Sequence, residues 1–125
     1  MPNCREITPF LHVPDLKRAL EWFDIIGFKP RTLMVSYAYV EREGVGVRLV
    51  ESTKEDGKPF EPHRGFACYV DCNDVDAIVR ECLPRLKAAG VKTLGPIDQA
   101  YNQREFIIEA PDGNMFVFGQ AIARR

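Results

Sequence analysis

Large apolar residues recur along this chain with two different periods. Between residues 16 and 26 they fall at Leu16, Ala19, Leu20, Phe23 and Ile26, the three-and-four spacing of an amphipathic helix. Asp15 stands where an N-cap belongs and Gly27 where a C′ residue belongs. Before the helix, residues 5–13 set Ile7, Leu11 and Val13 on one face of a strand and Thr8, Phe10 and His12 on the other. Pro9, on the first face, marks an edge or a bulge. After the helix come three strand-like runs, about 29–34, 36–42 and 45–51. Glu43-Gly44 makes the tight turn between the last two. In the third run Val45, Val47 and Leu49 share a face, opposite Gly46, Arg48 and Val50.

The pattern then repeats. Residues 53–63 lose all periodicity and gain charge, Pro and Gly, as a linker does. Residues 65–71 read as a strand, and Asn73-Asp74 caps a helix that runs through Val75, Ile78, Val79, Cys82, Leu83 and Leu86 to Gly90. Pro84 should kink or split that helix, because it lacks the N–H donor and its ring crowds the preceding turn. A short strand at 91–94, a loop over 95–103 and a hairpin close the chain. The hairpin turn is Ala110-Pro111-Asp112-Gly113-Asn114, built from residues that preset or tolerate turn dihedrals. The second helix is about one turn longer than the first. VPDL and GFKP around the first helix match CNDV and GVKT around the second. The fold class expected is α+β: two tandem βαβββ modules, residues 1–52 and 64–122, forming a curved mixed sheet around a cavity with the helices outside.

Composition narrows the function. Of 125 residues, 46% are hydrophobic and 28% charged, with 17 basic against 18 acidic residues and a net charge of −1. No basic face is announced, so a nucleic-acid partner is not expected. No apolar run approaches the ~20 residues of a membrane span, and the first ten residues lack the apolar core of a signal peptide, so a cytoplasmic protein without a membrane partner is expected. The four cysteines, at 4, 68, 72 and 82, form no CxxC pair. They read as small hydrophobes.

The segments VPDL…ALEWF…IIGF, YVDCNDVD…LKAAGVK and REFIIEAPDGNMFVFG, in this order, resemble the vicinal oxygen chelate superfamily of glyoxalase I, bleomycin resistance proteins and extradiol dioxygenases. The last segment is similar to the family's REF…DPDGN close, with Ala110 where Asp is common. Length and ending resemble the bleomycin-resistance-like branch most, which implies a homodimer with two ligand cavities at the subunit interface. The resemblance also implies four metal-ligand positions, and in this chain they fall on Thr8, Arg48, Gly65 and Val117. None is a His or Glu, and Arg48 repels a cation. No metal and no other cofactor is therefore expected. Asp71–Asp76 is only faintly like a calcium loop, lacking Gly at its sixth position and an acid at its twelfth.

With the metal gone, the inner faces are expected to carry a mostly apolar small-molecule site. Its expected ligand-binding residues are Phe10, His12, Arg48, Tyr69, Tyr101, Glu105, Met115 and Val117, with Thr8, Val50, Ala67 and Ile107 beside them. Arg48 is placed to pair with a ligand carboxylate or with Glu105, or else to lie as an edge-strand Arg over apolar surface. Trp22 belongs to the first helix or a dimer contact. The expected function is binding of a planar or aromatic molecule without turnover. The alternative is a metal-independent lyase or isomerase with His12 or Glu105 as base.

Overall fold

The computed structural model describes residues 2–54, 56–58 and 61–123. Residues 55, 59 and 60 of the expected linker lie outside the described residues. The chain divides into two compact units, Met1–His63 and Arg64–Arg125. Unit 1 contains β1 (Phe10–His12), α1 (Leu16–Ile25), β2 (Lys29–Leu33), β3 (Tyr37–Arg42) and β4 (Val45–Val50). Unit 2 contains β5 (Ala67–Asp71), α2 (Val75–Ala88), β6 (Thr93–Asp98), β7 (Gln103–Ala110) and β8 (Asn114–Ala121). The two four-stranded sheets have the same order, β1-β4-β3-β2 and β5-β8-β7-β6. In each, the first strand pairs in parallel with the last and the remaining pairs are antiparallel. Each unit is thus a βαβββ module with a mixed sheet and one helix.

The repetition extends to the helix ends. Asp15 accepts from Arg18 N and Asp74 from Ala77 N, both at 3.1 Å, so each helix has an Asp N-cap. A second acceptor reaches each first turn from the end of the sheet: Glu51 Oε2 takes Leu16 N at 2.6 Å and Gln120 Oε1 takes Val75 N at 2.9 Å. At the far ends Phe28 N bonds Phe23 O and Gly27 N bonds Asp24 O, while Val91 N bonds Leu86 O and Gly90 N bonds Lys87 O. Gly27 and Gly90 have φ of 84° and 72°, so both helices stop in the same glycine-dependent motif.

Each helix covers one face of its own sheet. In unit 1, Leu16, Ala19, Trp22 and Phe23 of α1 and Ala38, Val40, Val47 and Leu49 of β3 and β4 are all buried. In unit 2 the buried set is Val75, Ile78, Cys82 and Leu86 of α2 with Phe106, Ile108, Phe116 and Phe118 of β7 and β8. Cross-strand register puts Phe10, Tyr37, Tyr39, Arg48 and Val50 on the face of one sheet opposite its helix and Tyr69, Glu105, Ile107, Met115 and Val117 on that of the other; burial alternates along β3 and β4, whereas in unit 2 Glu105 and Val117 are buried as well.

Strands β2, β3 and β5 are one or two residues shorter than the sequence reading, and four further differences have a local cause. The first strand is three residues long rather than nine, because Pro9 has no N–H to continue the ladder; its carbonyl accepts from Arg48 N and pairing starts there. The last strand of unit 1's hairpins stops at Val50 rather than 51, where the Glu51 side chain turns to the α1 cap. Residues 95–98, expected as loop, continue edge strand β6 across a register shift between Leu94 and Ile97, a bulge that accommodates Pro96. Helix α2 is unbroken across Pro84. Pro84 is exposed, and so is Arg80 four residues before it, where water can take the carbonyl that the proline leaves without a donor.

Candidate functional site

Cross-strand register builds the uncovered face of unit 2. Ala67 lies beside Met115, Tyr69 and Ile107 flank Val117, and Glu105 lies beside Gly119. Toward the β7–β8 turn this face opens into a cleft of about 440 Å³. That volume is in the range of small-molecule sites. Apolar walls come from Phe66, Ala67, Leu94, Ile107 and Met115, polar groups from Lys92, Thr93, Glu109 and Asn114, and Gly65 and Gly113 complete the rim. The turn that closes the cleft is held by Asn114. Its Oδ1 accepts from Phe66 N at 2.9 Å and its Nδ2 donates to Pro111 O at 3.0 Å, tying the start of β5 to the hairpin. Asp112 and Gly113 both have φ near +70°, which explains why this loop is written Asp-Gly.

At the other end of the same face stands a polar group. Tyr101 donates to Glu105 Oε1 at 2.7 Å, and Tyr69 donates to Gln103 Oε1 at 3.0 Å. Glu105 is the one buried charged residue among the described residues, at 4% exposure, and Tyr101 is the partner that satisfies it. Burial of its hydroxyl first, and the Glu105 carboxylate second, hold the Tyr69 phenol above the ordinary range. The hydrogen bond to Glu105 does the same to Tyr101. The Tyr69 ring lies directly on Gly119, where a Cβ would collide with it.

On the uncovered face of unit 1, Phe10 and Tyr39 flank Arg48, and His12 and Tyr37 flank Val50. Arg48 Nη1 donates to the Tyr37 hydroxyl at 2.5 Å, and its guanidinium carbon sits 5.4 Å from the Tyr39 ring centre. Gly46 leaves room for the Tyr39 ring as Gly119 does for Tyr69. His12 is held in place: its backbone N donates to His63 Nδ1 at 3.0 Å, its Nδ1 is 3.2 Å from Ser52 Oγ, and the two imidazoles meet edge to face.

The expected site residues thus separate into three places. Met115 lines the cleft, with Ile107 and Ala67. Tyr69, Tyr101, Glu105 and the buried Val117 lie farther along the same sheet. Phe10, His12 and Arg48 belong to unit 1. Lys92, Glu109 and Asn114 were missed by the sequence reading, although Glu109 is in phase with Glu105 and Ile107 on β7. His63 was also missed as the neighbour of His12, and nothing in its aperiodic surroundings signals it. Trp22 is buried on α1, edge to face with Phe23. Thr8, Arg48, Gly65 and Val117 offer no imidazole or carboxylate. Among the described residues no three His, Cys, Asp or Glu side chains gather as metal ligands. No helix among them is long and apolar enough to cross a membrane.

The sequence profile described as Glyoxalase/Bleomycin resistance protein/Dioxygenase superfamily matches residues 7–118. No curated protein matches the chain significantly. Solved structures do. A bleomycin resistance determinant encoded on the transposon Tn5 is 15% identical, with a TM-score of 0.71 over 94% of this chain and 98% of that one. The bleomycin-binding protein of Streptomyces verticillus, complexed with copper(II)-bleomycin, is 18% identical, with a TM-score of 0.70 over 99% and 100%. A glyoxalase-related enzyme from Clostridium phytofermentans is 19% identical, with a TM-score of 0.73 over 97% and 98%. At these identities the likeness is one of fold.

Proposed function

The chain belongs to the Glyoxalase/Bleomycin resistance protein/Dioxygenase superfamily, and from that premise we propose that it is a metal-independent binding protein for a planar or aromatic small molecule. In this reading residues 1–125 are one domain of two modules that works as a cytoplasmic homodimer, with the ligand against the sheet faces the helices leave uncovered. The observation that carries it is the cleft of about 440 Å³ on unit 2, apolar in its walls and with a few polar groups at its rim. Two similar structures are named for bleomycin binding or resistance, which is in keeping with a binding role on this fold. Such a site works by burying a flat apolar body against Ala67, Leu94, Ile107 and Met115, while Lys92, Glu109 and Asn114 orient its polar edge.

The competing reading is a lyase or isomerase with His12 or Glu105 as base. His63 takes the His12 backbone N–H rather than its ring, whose Nδ1 lies 3.2 Å from Ser52 Oγ, and Glu105 Oε1 accepts from Tyr101, so proton transfer at His12 Nδ1 or Glu105 Oε1 requires that atom to exchange a partner it already has. The two readings part in one experiment. Protein dialysed against a chelator is titrated by calorimetry with planar aromatic compounds, 2-naphthol among them, and each mixture is assayed for consumption. Saturable binding with unchanged compound, lost in Ile107→Asp, supports the proposal. Turnover abolished by His12→Ala or Glu105→Gln sinks it in favour of the enzyme.

A further inference from the structure

Arg48 is exposed at the middle of a strand, and exposed arginines ordinarily extend their heads into water. This one is held down in two ways: one N–H is committed to the Tyr37 hydroxyl at 2.5 Å, and the cation lies 5.4 Å from the Tyr39 ring centre. Ordering a long side chain costs rotamer entropy, and here no carboxylate offsets it, since among the described residues none lies within salt-bridge distance of Arg48. The nearby acids are otherwise placed. Glu41 is 3.5 Å from Arg31, and both Glu41 and Glu6 act on the Tyr39 phenol electrostatically. The remaining N–H donors of the guanidinium are therefore oriented and unneutralised. Directly across the strand pair, Phe10 is 48% exposed, an aromatic surface beside the cation.

We propose that Arg48, Tyr37, Tyr39 and Phe10 form an anion-recognition site for an aromatic carboxylate, with the carboxylate on the Arg48 fork and the ring against Phe10. The proposal rests on the binding function above and adds the charge of the ligand. The planar fork matches a carboxylate with two parallel hydrogen bonds, which an ammonium does not reproduce. The tyrosines hold the fork in position before the ligand arrives, so less entropy is lost on binding. In unit 2 the residue at the Arg48 position is Val117, beside Tyr69 as Arg48 is beside Phe10, so this recognition belongs to unit 1 alone.

The test compares 2-naphthoate with the neutral, nearly isosteric 2-naphthamide by calorimetry on the whole chain, while the Arg48 Nε–H resonance is followed by NMR. The wild type should bind the carboxylate about tenfold or more tightly than the amide, the range of a charged hydrogen-bonded contact. The Arg48 Nε–H signal should shift with the carboxylate alone. Arg48→Gln should bring the two affinities together, and Arg48→Lys should keep only part of the preference. Arg48 is exposed, so both variants should keep the wild-type far-UV spectrum and melting temperature. Equal affinities in the wild type, or an unchanged preference in Arg48→Gln, would overturn the anion site and leave the binding function standing. Binding of 2-naphthoate that perturbs only the unit 2 cleft has the same meaning. If no aromatic compound binds anywhere, both readings fall.

Discussion

Unit 1 and unit 2 share strand order, helix caps and helix stops, yet they build their cores from opposite sides. In unit 1 the helix supplies the large rings, Trp22 and Phe23, and the sheet answers with Ala38, Val40, Val47 and Leu49. In unit 2 the sheet supplies Phe106, Phe116 and Phe118, and the helix answers with Val75, Ile78, Cys82 and Leu86. Close packing fixes the summed volume between helix and sheet but not which layer contributes it. The uncovered faces carry no such constraint, and there the units diverge in chemistry. Unit 1 presents Arg48 among Phe10, Tyr37 and Tyr39; unit 2 presents a buried Glu105 with Tyr69, Tyr101 and Gln103. The duplicated features support the fold and the unduplicated ones support the proposed function.

The largest effect should come from breaking the core exchange. Phe106 is fully buried, and Phe106→Ala leaves a cavity that α2 has no ring to fill. It should cost about 3–5 kcal/mol, read as a lowered urea midpoint. Phe10→Ala, on the exposed face of unit 1, should cost less than a third of that. Equal losses would contradict the assignment of covered and uncovered faces.

Next is a pH effect confined to unit 2. Burial pushes the Cys68 thiol from 9.0 up to about 11, and Pro9 holds the matching place in unit 1. The folded state keeps this proton more tightly than the unfolded state does, so the contribution is complete below pH 9 and is lost as pH rises toward 11. The loss should reach about 2–3 kcal/mol. Denaturation at pH 8 and pH 11 should show a smaller difference in Cys68→Ala than in the wild type, and an identical difference would refute the burial argument.

The caps offer a milder comparison. Glu51→Ala and Gln120→Ala each remove the sheet-end acceptor from a helix N-terminus, and each should lower stability by about 1 kcal/mol. Similar losses measured by thermal melting sharpen the equivalence of the two units; a large loss in only one would break it. The smallest effect is spectroscopic. Glu105→Gln removes the carboxylate that raises Tyr69 and Tyr101, so those two phenols should ionise at lower pH in an ultraviolet titration. Tyr39 of unit 1 is raised by burial and by Glu41, so its ionisation should not move.

Most of the scaffold was legible in the sequence because periodicity and capping are local. Leu16, Ala19 and Phe23 announce a helix, and Asp15 and Gly27 bound it, without knowledge of anything distant. Alternation also put Arg48, Val50, Glu105, Ile107, Met115 and Val117 on the faces they occupy. What stayed hidden depends on partners far along the chain. Glu51 reaches Leu16 and Gln120 reaches Val75 across the closed module, and only the repeat itself, with Glu51 just after β4 as Gln120 is the last residue but one of β8, would have revealed them. The short β1 and the extended β6 were misjudged at prolines, where the ladder depends on which edge the N–H-less residue faces. The Arg48 contacts with Tyr37 and Tyr39 come from register, which shared faces alone do not give.

In the proposed function, ligand chemistry resides on the sheet faces the helices leave uncovered and needs no metal. The most direct measurement is a backbone amide chemical-shift map of chelator-dialysed protein titrated with a planar aromatic compound. Saturable shifts are expected at Ala67, Leu94, Ile107, Glu109 and Met115, and at Phe10, Tyr39 and Arg48 when the compound is a carboxylate, with α1 and α2 unperturbed. Shifts concentrated on the outer surfaces of the helices, or binding that begins only when a divalent metal is restored, would contradict it.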